Sequence, residues 1–79
     1  MRLDKFLKIS RIIKRRTVAK EVCDKSKIFV NSKLAKASTD VKINDIIELH
    51  FGENVIKYKI LKISENVKKE EANTLVELL

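Results

Sequence analysis

Seventy-nine residues, 44% hydrophobic and 37% charged, predict one small soluble domain with too little chain for an enzyme-sized cleft. No apolar run reaches the roughly 18–20 residues needed to cross a bilayer, and the charged start MRLDKFLKIS is not a signal peptide. The net charge of +7 is uneven: residues 1–36 carry twelve Lys/Arg and three Asp/Glu, a net +9, while residues 37–79 carry six and eight, a net −2.

Leu3, Phe6, Leu7 and Ser10 follow the i, i+3, i+4, i+7 rhythm of one helical face, which predicts a short amphipathic helix over 3–9 with Lys5 and Lys8 opposite. Asp4 falls in its first turn, where a negative charge complements the helix dipole. Residues 11–16, RIIKRR, form a basic connection with Ile12 and Ile13 as core anchors. Thr17 is the expected N-cap of a second helix over roughly 17–25, with Val18, Ala19, Val22 and Cys23 as its apolar stripe and Lys20 and Glu21 outward.

Beyond residue 26 the period changes to that of strands. KIFV at 27–30 predicts a short strand, Asn31-Ser32 a turn, and KLAK at 33–36 a return. Val41-Lys42-Ile43 leads into an Asn44-Asp45 turn, and residues 46–51 form a clear strand. Gly52-Glu53-Asn54 closes a hairpin onto 55–63, where Ile56, Tyr58 and Ile60 share a face. In the tail, Lys68 to Ala72 reads as helical, and Thr74 to Leu79 as either helix or closing strand. The expected class is α+β: two to three short N-terminal helices packed on a small antiparallel sheet.

No catalytic constellation emerges. Cys23 is expected on the inner face of the second helix, as a small hydrophobe rather than a nucleophile. A single cysteine excludes an internal disulfide and fits a reducing, cytoplasmic setting. His50 reads as a satisfied or exposed strand residue, and with Cys23 it cannot complete a structural zinc site. No metal or cofactor is expected.

A binding role fits better. All four arginines, Arg2, Arg11, Arg15 and Arg16, lie in the first 16 residues, and the guanidinium fork suits phosphate. Arg15 and Arg16 stand at the expected mouth of the second helix, whose free N–H groups already make a positive pole. Lys14 and Lys20 extend that patch, and Arg2 and Arg11 join it if the helices pack together. Cations there are unfavourable unless an anion belongs beside them. Pairing of Arg15 or Arg16 with Asp4 or Glu21 is the structural alternative. Helix two carries no Asn or Gln to read DNA bases, and no aromatic strand is set to stack single-stranded bases. Backbone and shape recognition of folded RNA is the better fit. A membrane-surface role is weaker, because both apolar helix faces are needed for the core.

Several blocks occur in order: MRLDKFLK, SRxxKRRTxAKE, IxVN and KASxDVK. Together they resemble the S-four RNA-binding domain, whose fold is the α-L motif of packed helices beside a small antiparallel sheet. The resemblance runs from residue 1 to about 51, with the second hairpin and tail, 52–79, completing a single domain over 1–79. It is nearest to two groups of small stand-alone members, the heat-shock protein fifteen group and the shorter RqcP-type group. The resemblance implies a non-catalytic factor of ribosome-associated quality control in the cytoplasm. Such a factor binds large-subunit rRNA and peptidyl-tRNA on obstructed large ribosomal subunits. It works with the tailing factor RqcH, which adds alanine to stalled chains, and it acts as a monomer. A general rRNA- or tRNA-binding assembly or heat-shock factor of the same fold is the alternative. Enzymes that carry this domain need a further catalytic domain, which a chain ending at Leu79 is not expected to have.

By the same resemblance, Arg2, Asp4 and Arg16 fall on the main RNA-face positions. Lys8, Arg11, Lys14, Arg15, Thr17 and Lys20 fall around them, and Asp4 orients an arginine rather than meeting phosphate. Ser26, Ser32 and Asn44 stand where the family commonly has glycine, which puts turn geometry in question there.

Overall fold

The computed structural model describes residues 1–13, 15–25 and 27–79, and the side chains of all of these except Arg16 and Phe51. Two helices, α1 (Leu3–Ile9) and α2 (Arg16–Asp24), precede strands β1 (Ile28–Val30), β2 (Lys33–Leu34), β3 (Ile46–Phe51) and β4 (Asn54–Ile60). A 3-10 helix (Lys69–Thr74) then leads to β5 (Val76–Leu78). All strand pairs are antiparallel, in the order β2-β1-β3-β4-β5. The expected α+β architecture is what the chain adopts.

α1 forms where the apolar rhythm placed it, and Leu3, Phe6 and Leu7 are fully buried. They pack with Ala19 and Cys23 of α2 and with the inner sheet residues Ile28, Ile47, Leu49 and Ile60. Fully burying one such large apolar side chain contributes about 1.5–3 kcal/mol. Ile13 is buried and Ile12 packs at the edge of the core, as their anchoring role required. Val18 departs from the expected stripe and is 40% exposed. The inward line of α2 runs through Ala19 and Cys23, four residues apart. Val18 precedes that line by about 100° of helical rotation, in the open first turn.

α2 starts earlier than Thr17 suggested. Its N-cap is Arg15, in extended conformation (φ −117°, ψ 128°), and the first helical bond runs from the N–H of Ala19 to the carbonyl of Arg15 at 3.0 Å. Thr17 therefore lies inside the first turn and caps nothing. The second hairpin is also tighter than expected. Asn54 already pairs with Phe51, leaving Gly52-Glu53 as the turn, with Gly52 at φ +58°. β4 ends at Ile60 rather than 63, because the N–H groups of Leu61 and Lys62 both turn to the carbonyl of Leu75. Ile56, Tyr58 and Ile60 do share the inward face.

The first hairpin turn has both Asn31 (φ 51°) and Ser32 (φ 67°) in the left-handed region, and Asn44 (φ 77°) adopts it too. The geometry that glycine serves in the family therefore persists at Ser32 and Asn44. Ser26 lies outside the described residues. Asn31 compensates its own strain: its amide donates to Asp45 and its carbonyl oxygen accepts the N–H of Ile46, both at 3.0 Å. In the tail, the 3-10 helix closes with i→i+3 bonds, Glu71 to Lys68 and Leu75 to Ala72, and buries Ala72 and Leu75. The residues that follow it resolve as strand.

Candidate RNA-binding face

The two helix starts are treated oppositely. At α1, the N–H groups of Leu3 and Asp4 donate to the carbonyls of Thr39 (2.7 Å) and Ala37 (3.2 Å). The KASTDVK segment, residues 36–42, thus closes the start of α1 with backbone acceptors, and Arg2 bridges to Asp40. At α2 no side chain caps the first turn and no acidic residue stands in it. Among the described residues, the N–H groups of Thr17 and Val18 meet no backbone or side-chain acceptor. Among the described residues nothing covers the positive pole of α2, and Arg15 is exposed beside it.

Asp4 is buried, its side chain 4% exposed, and it holds Arg2 in a two-pronged contact. Arg2 Nε donates to Oδ1 at 3.1 Å and Nη2 to Oδ2 at 3.3 Å, while the Lys5 N–H donates to Oδ1 at 2.9 Å. Half of the Arg2 side chain remains exposed, so it keeps N–H donors for a ligand. Asp4 therefore orients an arginine, as expected, and Arg2 is one that it holds. Arg15 makes no ion pair among the described residues, and Arg16 and Lys14 lie outside the description of side chains.

Thr17 and Lys20 are exposed on α2. Lys8 and Arg11 form a separate grouping, sharing a cleft with Lys68 and Lys69 at the far end of α1. The last two read in sequence as part of a solvated charge run. Long-range folding alone brings them to Lys8 and Arg11, and no local pattern announces it.

Burial, followed by the negative charges of Asp4 and Asp24, pushes the Cys23 thiol up to about 11. His50 Nε2 lies 2.8 Å from Glu48 Oε2 and its ring tilts over Phe29. The His50 hydrogen bond, and then Lys57, hold the Glu48 carboxyl below its usual range. Among the described residues no cluster of three His, Cys, Asp or Glu could hold a metal ion. Nor is any helix there long and apolar enough to cross a membrane.

Comparison with known proteins agrees with this geometry. The model of the S4 domain family matches residues 1–47. A Streptococcus pneumoniae protein named RQC P-site tRNA stabilizing factor is 56% identical over 79 residues, covering 100% of this chain and 90% of its own. Among solved structures, trimeric Vibrio cholerae heat shock protein 15 superposes with a TM-score of 0.88 at 32% identity, over 100% of this chain and 81% of the other. The solution structure of the hypothetical protein HP1423 gives 0.83 at 34%, over 100% and 96%.

Proposed function

The chain belongs to the S4 domain family, and from that premise we propose that it is a non-catalytic RNA-binding factor of ribosome-associated quality control. In this reading it works in the cytoplasm as a monomer. It binds large-subunit rRNA and the peptidyl-tRNA on obstructed large subunits and holds the tRNA while RqcH extends the stalled chain with alanine. Arg2, oriented by Asp4, and Arg15, Arg16 and Lys14 at the start of α2 meet phosphates. Thr17 and Lys20 flank them, and Lys8 and Arg11 add cations at the far end of α1.

One observation carries the reading: a chain similar over its whole length to an RQC P-site tRNA stabilizing factor starts a helix on basic residues, with no acid in the first turn. The anion missing from that pole is supplied by the RNA backbone. Nothing in the role requires a bond to be made or broken. The protein lowers the free energy of one tRNA position by binding it.

The test is sedimentation of tagged wild-type and Arg16→Ala protein with cell lysate on a sucrose gradient. The wild type is expected with large subunits that carry peptidyl-tRNA. The variant, having lost about 1–3 kcal/mol of charge-assisted contact, should stay near the top. Wild-type protein absent from large subunits would overturn the quality-control role and favour the general RNA-binding alternative.

A further inference from the structure

A cleft of about 270 Å³ separates the end of α1 from the C-terminal segment. Lys8 and Arg11 line one side, Lys68 and Lys69 the other, and buried Ala72 lies between. The family match ends at residue 47, so the far wall belongs to a part of the chain that the shared domain does not include. Four cations converging on one cleft repel one another, and repulsion of that kind persists only at a cost. Among the described residues no ion pair to these four cations offsets that cost. Glu65 is the acid in the described lining, and its carboxylate is taken by Lys5 at 3.1 Å. Glu70 and Glu71 follow on the 3-10 helix but do not line the cleft.

Arg11 adds a second, independent observation. Its backbone is left-handed, φ 62°, in the turn that ends α1, where its N–H bonds back to the carbonyl of Lys8 at 3.0 Å. That conformation costs a non-glycine residue about 1–2 kcal/mol. Glycine would make the same turn without strain, but only a side chain at this position reaches the cleft. Strain of this kind collects at ligand sites. An open, polar groove walled by cations suits a phosphodiester chain. Its one described carboxylate, Glu65, is paired with Lys5, which makes no ligand set for a metal ion, and the groove is no enclosed pocket for a small molecule.

We propose that Lys8, Arg11, Lys68 and Lys69 form a second phosphate-backbone contact. The C-terminal segment thereby clamps the same RNA that the helix starts hold. This rests on the RNA-binding reading above and extends it to a part of the chain outside the family match.

The experiment measures binding of fluorescently labelled bulk bacterial tRNA to the full chain by anisotropy between about 50 and 200 mM salt. Wild type is compared with a Lys68→Gln/Lys69→Gln variant and with a Lys27→Gln/Lys33→Gln control, which loses the same charge beside β1 and on β2. Removing two phosphate contacts should weaken binding roughly 10- to 50-fold near 100 mM salt and lower the slope of log affinity against log salt by about 1.4–1.8. The control should move far less, and all three proteins should melt alike. Equal behaviour of the two double variants, while wild type binds tRNA, would overturn the cleft and leave the helical face standing. Failure of wild type to bind tRNA at all would overturn both. Binding of polyglutamate peptide as tight as that of tRNA would also overturn it, because the cleft would then be a general anion surface.

Discussion

Asp4 shows why single residues in this chain cannot be assigned by charge alone. It is the one buried acid of the described core, and it holds Arg2 in a two-pronged contact. Its charge also reaches Cys23 across the helix pair, raising a thiol that burial has already raised. The thiol stands at about 11 in the folded chain against an ordinary value of 9.0. Cys23 should therefore resist a disulfide reagent at pH 8 in the folded protein and react promptly once the chain is unfolded. A raised thiol also sets the sign of the alkaline response. The unfolded chain loses this proton near pH 9 while the folded chain keeps it, so the contribution is intact below pH 9 and declines as pH rises towards 11. Prompt labelling under native conditions would contradict the packing of α1 on α2. Ser32, at φ 67°, is left-handed like Asn31 but has, among the described residues, no side-chain hydrogen bond of the kind with which Asn31 offsets its own strain. Ser32→Gly should raise the unfolding free energy by about 1 kcal/mol in urea denaturation. The Asn31-Ser32 turn is legible in sequence because both residue types tolerate such backbones. The cap of α2 is not, because Thr17 is a better capping residue by type than the arginine that takes the position.

At the scale of elements, α2 is the telling one. Its first turn has an arginine at the N-cap, no acid and no side-chain cap, which is poor design for a helix and good design for an anion site. The two demands predict opposite signs. Arg15→Ala should leave thermal stability unchanged or raise it by about 0.3–1 kcal/mol, because a cation leaves the positive pole. The same variant should bind tRNA more weakly. Loss of stability together with binding would mean that Arg15 holds the fold instead. α1, β1 and β3 were legible because each has an unbroken apolar period. The end of β4 was not, since Leu61 continues the alternation while its N–H leaves the ladder for Leu75. The apolar stripe of α2 was half legible. Ala19 and Cys23 are buried as expected, but Val18 lies off their line and is exposed.

For the whole molecule, the charge asymmetry is the feature that organises the rest. The basic residues 1–36 supply both helices and their connection, and the more acidic remainder builds most of the sheet that supports them. The S4 resemblance is carried by the first part, and its segment at 36–42 has a physical task, closing the start of α1 so that the start of α2 is the open pole. The cleft beneath Lys68 and Lys69 could not be read in advance, because two segments nearly sixty residues apart form it. In the proposed role, RNA lies on the helix starts rather than on the outer face of the sheet. This placement is tested most directly by titrating the isotope-labelled 9.2 kDa protein with tRNA and following each backbone amide by NMR. The largest changes are expected at residues 2–5 and 15–20, with a second set at 8–11 and 68–69. Changes confined to Phe29, Glu48 and Lys57 on the outer sheet face would contradict it.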